Sequence, residues 1–491
     1  MTHRKDPLSS PPKAWKYSSS EEDPTLARIE SSHDLWIGGT WSKGQRGKRQ
    51  AVINPASGEK ISSLAVAGPR EVDAAVQAAR AAQPEWEAMP ASDRTRILFA
   101  IARILQERSR EFAVLESIDN GKAISETRDF DLPLACRHFF YHAGWTDKLD
   151  YLLPGRRARA LGVCAQIIPW NFPLLLAAWK LAPALAAGNS VVLKPAETSS
   201  LSALRLCEVL EEAGLPKGVV NVITGGPATG AALVEHQGID KVAFTGSTEV
   251  GKEISSKLAG SGKKLSLELG GKGAQIVFED APLDQAVEGV IRGIYFNQGQ
   301  ICCAGSRLLV QESVRESFLA LLLARMDRIR VGNPLDKNSD LGAIHSAEQL
   351  QRIQSYLALG QQEGAELKGP SPKLPSSGYW CAPGLFDHVE PSMRIFREEI
   401  FGPVLAVTSF RTMDEAIKLA GDSRYGLSAG VWTDKGSRAF QVIDKLHTGV
   451  VWANCFNRFD PSSPFGGIRE SGFGRDGGVQ GMAAYLQEAS R

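Results

Sequence analysis

From residue 160 onward, short β-branched runs alternate with amphipathic stretches, and no other feature constrains the fold as strongly. The pattern predicts strands at 162–168, 190–194, 219–224, 241–245 and 264–269. Helices are predicted between them near 173–187, 200–214, 227–236 and 248–260. Alternation of this kind reads as βαβ units, which build a twisted parallel sheet with helices on both faces. Turn chemistry closes the elements, since Gly188-Asn189, Gly225-Gly226-Pro227 and Gly270-Gly271 each follow an element end. A second α/β series starts at 274–280 and continues through a helix near 282–298, a strand at 307–313 and a helix at 314–329, then on to about Gly467.

Upstream, 69–82 places Val72, Ala75, Val76 and Ala79 on one helical face after a proline start. Further helices are expected through about 92–117 and 129–149, and the Pro/Ser-rich stretch 369–377 reads as a surface loop. No internal repeat is found. A chain of 491 residues is too long for one ordinary core, so two α/β domains are expected. Residues 1–33, rich in Ser, Pro and mixed charge, read as a mobile N-terminal tail without the apolar segment of a signal peptide.

Composition excludes several classes. With 43% hydrophobic and 23% charged residues the chain is globular and not disordered. A net charge of +1 argues against a nucleic-acid binder or a membrane-surface protein. The apolar stretch 167–187 is broken by Pro169, Asn171, Pro173, Lys180 and Pro183, so no membrane span is expected. Seven cysteines without any C-x-x-C pair give neither a disulfide scaffold nor zinc-finger spacing, which points to a reducing cytoplasm.

Three constellations could carry chemistry. Cys302 and Cys303 lie in N-Q-G-Q-I-C-C-A-G-S-R (297–307), a polar Gly-rich loop before a strand. A cysteine there is better placed to react than one packed in an apolar helix, as Cys207 is, although a structural thiol stays open. Glu268 interrupts the strand K-L-S-L-E-L-G-G-K (264–272) near its carboxyl end, where open α/β sheets bind ligands. The bland alternative is a solvated edge residue. G-S-T-E-V-G (246–251) opens a helix directly after a strand and could present backbone N–H groups to a phosphate. No acidic residue follows it at the dinucleotide-binding spacing; Glu197 in L-K-P-A-E (193–197) is the acidic candidate instead. No metal site is read, because Phe139 stands between His138 and His142 where a metalloprotease needs glutamate, and no third ligand is near. The aromatics Trp170, Phe172, Trp179, Phe296, Phe459 and Phe465 read as core unless the fold brings them together as a tunnel.

Taken together, these segments resemble the NAD(P)-dependent aldehyde dehydrogenase superfamily in its non-phosphorylating, hydrolytic branch. The likeness runs from about Trp36 to Tyr485. N-P-A-S-G-E (54–59), Y-H-A-G-W-T-D-K (141–148), P-W-N-F-P (169–173), L-K-P-A-E (193–197), F-T-G-S-T-E-V-G (244–251), L-E-L-G-G-K (267–272), G-Q-I-C-C-A-G-S-R (299–307), E-E-I-F-G-P-V (398–404) and S-P-F-G-G (463–467) carry it in the family's order. The resemblance implies a Rossmann-like NAD-binding domain at 34–142 and 159–270, a catalytic α/β domain at 271–467, and a small β oligomerisation arm from the bridging segments 143–158 and 468–491.

The implied activity is oxidation of an aldehyde to a carboxylic acid through a cysteine thiohemiacetal and thioester, with hydride passing to NAD. It makes Cys302 the nucleophile, the Asn171 amide with the Cys302 N–H the oxyanion hole, and Glu268 the base for hydrolysis; Lys180 would stand near the proton path. Lys194 and Glu197 would meet the adenosine ribose, favouring NAD over NADP, with Gly226 beside them. Gly246 and Ser247 would meet the pyrophosphate, Glu399 and Phe401 the nicotinamide end, and Ile168, Pro169 and Trp170 the crevice between.

Departures from the family pattern are G-R-D (474–476) for the usual G-R-E, no asparagine after the alanine of A-G-D-S-R-Y-G-L (420–427), and a chain stopping at Arg491, short of a final strand many members use in subunit pairing. The partners implied are a small aldehyde and further copies of the chain, as a dimer or tetramer. Two rival readings are a CoA-acylating aldehyde dehydrogenase, against which Glu268 argues, and a catalytically silent scaffolding member of the same fold.

Overall fold

A computed structural model describes residues 18–153 and 155–489. The first sheet has eight strands, and its five central ones are parallel: in space they run Lys264–Glu268, Lys241–Thr245, Val163–Ile167, Ser190–Lys194, Val220–Val222. The order reverses between Val163–Ile167 and Lys241–Thr245, which is the doubly wound dinucleotide-binding pattern with its crevice at the switch point. All five residues of Val163–Ile167, of Ser190–Lys194 and of Lys241–Thr245 are buried. Unbroken burial of this kind belongs to a parallel sheet covered on both faces. The linking helices are Pro173–Ala186, Leu201–Glu212, Pro227–Glu235 and Thr248–Leu258. Each predicted element of this series is present within about two residues of its expected bounds.

The second sheet has seven strands in the spatial order Glu366–Lys368, Gly384–Asp387, Val404–Phe410, Arg307–Gln311, Ala274–Val277, Ser428–Trp432, Val450–Ala453, parallel except at the first pair. The segment 369–377 is the loop expected between two of its strands.

Several expectations are corrected. The helix expected over 92–117 is two helices, Ala91–Glu107 and Ser109–Asn120, because Arg108 leaves helical geometry and turns its guanidinium to Glu111 and Glu208. The one expected over 129–149 is a π turn, Thr127–Asp131, running into the helix Leu132–Ala143. Helix Leu283–Tyr295 ends before 298, since Asn297 and Gln298 take left-handed backbone with φ of +50° and +54°. Each such residue costs on the order of 1–3 kcal/mol, so surrounding contacts must hold it.

The mobile tail expected over 1–33 is corrected for its described part; 1–17 lie outside the described residues. Glu22 is buried and bonds Arg110 and Lys337, its N–H donates to the Leu335 carbonyl, and Ala27 is fully buried after a 3-10 turn capped by Asp23. A tail that buries a carboxylate between two cations is docked. After Tyr485, Leu486–Glu488 forms a short strand antiparallel to Ala158–Ala160 of the same chain. Nearby, Gly472–Phe473 adds to the edge of the first sheet against Leu267 and Glu268, so the last segment bridges into that sheet. Among the described residues no helix is long and apolar enough to cross a membrane.

Candidate active site

Among the segments that line one cavity of about 280 Å³, five meet at the seam between the sheets. Three leave carboxyl ends of first-sheet strands: 169–172 after Val163–Ile167, 246–247 after Lys241–Thr245, and 268–270 after Lys264–Glu268. Two lead into amino ends of second-sheet strands: 301–303 before Arg307–Gln311, and 399–401 before Val404–Phe410. Two glycines permit the approach. A Cβ on Gly270 would come within 2.4 Å of Glu399 Oε2, and one on Gly271 within 2.4 Å of the Cys302 carbonyl oxygen.

The vicinal cysteines separate by burial. Cys303 is 1% exposed, donates weakly to Asn457 Oδ1 at 3.6 Å, and its thiol is pushed well above the usual range by burial. Cys302 is half-buried and faces the cavity, which places it as the accessible thiol of the pair. Beside it, one N–H of the Asn171 amide donates to the Gln300 carbonyl at 2.9 Å. The Asn171 backbone carbonyl in turn accepts from Asn297 Nδ2 at 2.9 Å, so the amide is held against the cysteine loop.

Glu268 lines the same cavity, and neither of its carboxyl oxygens has a hydrogen-bond partner among the described residues. Burial, then the charge of Asp476, hold its carboxyl well above the usual carboxylate range, while Lys180 draws it partly back. Lys180 is buried and bonds Asp476 Oδ2 at 2.6 Å. Asp476 is fixed by paired backbone hydrogen bonds with Phe465, both 2.8 Å, so the shorter side chain of G-R-D still meets the lysine. Lys180 itself does not line the cavity, whereas Asp476 does.

The candidate cofactor residues fall into two groups. Ser247 caps the helix Thr248–Leu258, accepting from Val250 N, so that helix's positive end opens on the cavity with Gly246. Lys194 and Glu197 pair at 3.2 Å at the end of the next strand but one, and Gly226, starting the helix Pro227–Glu235, lies beside Glu197. Burial pushes the Lys194 ammonium down, and Glu197 offsets this.

Glu399 accepts from the Gly271 N–H at 2.8 Å, and burial raises its carboxyl to about 7. Phe401 has a φ of +61° and stands edge-on to Trp170, ring centroids 5.3 Å apart. Pro169 and Trp170 line the cavity. Ile168 does not: its side chain is 2% exposed and packs into the core, leaving its N–H bonded to the Lys194 carbonyl.

The aromatics do converge. Phe172, Trp179, Phe459 and Phe465 line the apolar arm of the cavity, with Trp179 5.9 Å from Phe459 and 5.7 Å from Phe465. Phe296 does not line it, because Phe130 stands in front at 4.9 Å. Phe130 was not singled out in the sequence. It reaches the wall from the π turn, a local irregularity typical of functional sites but without a periodic signature. His345 was also missed; it stacks on Trp170 at 4.3 Å and 4° and bonds Thr198. No sequence signal marks it, since the stack joins residues 175 positions apart by packing alone.

A doubly wound sheet whose switch-point crevice ends on an accessible thiol and an unpaired buried carboxylate defines a ligand-binding α/β protein with reactive groups at the seam. The profile of the Aldehyde dehydrogenase family matches residues 41–490, and the chain belongs to that family. It is 43% identical to human retinal dehydrogenase 2 over 467 residues, covering 92% of this chain and 90% of the relative. It is also 43% identical to the mitochondrial aldehyde dehydrogenase of Rattus norvegicus over 471 residues, covering 93% and 90%. Among solved structures, an NAD+ complex of aldehyde dehydrogenase from Bacillus cereus superposes with a TM-score of 0.92 at 37% identity, covering 96% of this chain and 98% of that one.

Proposed function

We propose that this protein oxidises an aldehyde to a carboxylic acid with NAD, Cys302 being the nucleophile. The carrying observation is the half-buried Cys302 sharing one cavity with the unpaired Glu268 carboxyl and the Asn171 amide. The Cys302 thiolate adds to the carbonyl carbon, forming a C–S bond and moving the carbonyl electron pair onto oxygen. The free N–H of the Asn171 amide and the Cys302 backbone N–H stabilise that charge. When bound, NAD supplies the hydride acceptor that converts the adduct to a thioester. Glu268, in its ionised form, takes a proton from water as the water oxygen attacks the thioester, releasing the acid and the thiolate. Asp476 and Lys180 form the polar pair electrostatically coupled to that carboxyl and supply its route for proton exchange. Glu268 favours water over CoA as the acyl acceptor.

The residues present fit a dinucleotide. A helix N-terminus at Gly246-Ser247 suits a pyrophosphate, and the Glu197 carboxylate beside Lys194 suits ribose hydroxyls while repelling a 2′-phosphate, which favours NAD over NADP. Glu399 and Phe401 would hold the nicotinamide end. The apolar arm built by Phe130, Phe172, Trp179, Phe459 and Phe465 suits an uncharged aldehyde, because these aromatic side chains offer no cation to pair a desolvated carboxylate.

Seven free thiols suit the cytoplasm as the site of action. The domains follow the sheets, with 34–142 and 159–270 binding cofactor, 271–467 carrying the thiol, and 143–158 with 468–491 bridging. A two-stranded arm is too small to stand alone, and Tyr151 beside it is 79% exposed, which supports a homo-oligomer, dimer or tetramer. Cys302→Ala is expected to abolish NADH formation with every member of an aldehyde panel while NAD still binds by fluorescence titration. Turnover in that variant would overturn the reading.

A further inference from the structure

The loop that carries Cys302 is held in an unfavourable backbone conformation, and one of the contacts that hold it comes from a carboxylate outside the cavity. Asn297 and Gln298 are consecutive non-glycine residues in the left-handed region, at φ of +50° and +54°. Local bonds to Gln300 and contacts from Asn171, Ala343 and a third segment hold it. Gln298 Nε2 donates to the Ala343 carbonyl at 3.0 Å. Asn297 Nδ2 donates both to the Asn171 carbonyl at 2.9 Å and to the Gln300 carbonyl at 3.0 Å. The third contact reaches from another part of the chain: the Asn297 backbone N–H points between the two oxygens of Glu126, 2.9 Å from Oε1 and 3.1 Å from Oε2.

Because the Asn171 amide donates to the same Gln300 carbonyl at 2.9 Å, the turn sets the amide and the thiol loop together. Glu126 ends the short turn Ile124–Glu126, which leads directly into the π turn Thr127–Asp131 bearing Phe130. It is thus fastened to the tunnel wall on one side and to the cysteine loop on the other.

We propose that Glu126 is a positioning residue for the Cys302 loop: by accepting the Asn297 N–H with both oxygens it fixes the left-handed turn that aims the Asn171 amide and the Cys302 backbone at the developing oxyanion. The inference rests on the roles given above to Cys302 and Asn171. Glu126 touches no reacting atom, so its removal should lower kcat and leave cofactor affinity alone. A misplacement of the order of 1 Å in such an array costs on the order of 100-fold in rate.

The test is steady-state kinetics of the full-length enzyme with hexanal, beside NAD titration by fluorescence. Glu126→Ala is expected to lower kcat by about 10- to 100-fold with the NAD dissociation constant within about twofold. Glu126→Gln keeps a carbonyl oxygen for the Asn297 N–H and should return kcat to within about threefold of the parent. The combination Glu126→Ala with Asn171→Ala should cost clearly less than the two single losses together, since Glu126 acts in part through the Asn171 amide. Parental kcat in Glu126→Ala, failure of the glutamine variant to rescue, or full additivity of the pair would each overturn the proposal. If Glu126→Ala yields no folded protein, Glu126→Asp replaces it: drawing the carboxylate back by one methylene from the Asn297 N–H should lower kcat at unchanged NAD affinity, and parental kcat would overturn the proposal. Turnover in Cys302→Ala would instead sink the underlying mechanism, so the two failures are distinct.

Discussion

Both sheets are largely parallel, yet they present opposite ends to the seam. The first brings its carboxyl ends, where strands run into the helices Pro173–Ala186 and Thr248–Leu258 and present helix N-termini to the cavity. The second brings its amino ends, where the chain arrives through irregular loops containing Asn297, Gln298 and Phe401, all at positive φ. Regular strand-to-helix turns offer N–H donors and positive potential, which suit an anionic dinucleotide. Irregular loops instead bring a side chain and a backbone N–H to one point at the cost of strain. The division is broadly between binding and chemistry, and Glu268 crosses it most sharply, a first-sheet carboxyl sharing the cavity with the thiol, while Asn171 crosses in the same direction and Glu399 and Phe401 in the other.

The sharpest way to break the division is to remove the Glu268 carboxylate. Glu268→Gln should lower steady-state turnover by about 100- to 10,000-fold while a first burst of NADH and an acyl adduct remain visible by intact mass. If burst and steady state fall together, Glu268 belongs to the thiol step. The parent enzyme carries a pH signature of the same residue. Burial raises the Glu268 carboxyl well above the usual range, and only the ionised form accepts a proton from water. The hydrolytic rate should therefore rise with pH above that ordinary range, and a flat profile would count against the assignment.

A smaller effect tests the apolar arm. Hexanal should exceed a dicarboxylic semialdehyde in kcat/KM by about 100-fold, since the aromatic wall leaves a carboxylate unpaired. Comparable values would mean that a cation reaches the tunnel. The smallest expected effect lies farthest from the thiol. Glu197→Gln should raise the KM for NAD by about tenfold, narrow the preference over NADP, and leave kcat unchanged. A kcat change at constant KM would erase the proposed separation of binding from chemistry.

Much of this was legible along the chain. The strands and helices between 160 and 270 could be read because each buries a continuous or periodic apolar face, a local signal. Cys302, Glu268, Asn171 and the two cofactor groups could be read because each sits in a short segment of distinctive residues. Elements whose conformation depends on distant partners were misread. The tail folds back because Arg110 and Lys337 receive Glu22, and the helix near 298 ends because Glu126 and Ala343 hold the turn beyond it. Ile168 lies in a motif that suggested the crevice, but the side of the strand end it faces is decided by sheet packing.

The sequence by itself determined two α/β series, because periodicity is a local property, and its ordered motifs carried the family resemblance that implied the thiol, carboxylate and amide of the proposed chemistry. Only the tertiary structure decided that Cys303 is buried while Cys302 is half-exposed. It alone brought Phe130, in place of Phe296, to the cavity wall and His345 onto the ring of Trp170, and it alone joined Glu126 to the cysteine loop. Exposure, stacking and hydrogen bonding between residues more than a hundred positions apart arise from how two sheets meet, and no stretch of sequence contains both partners.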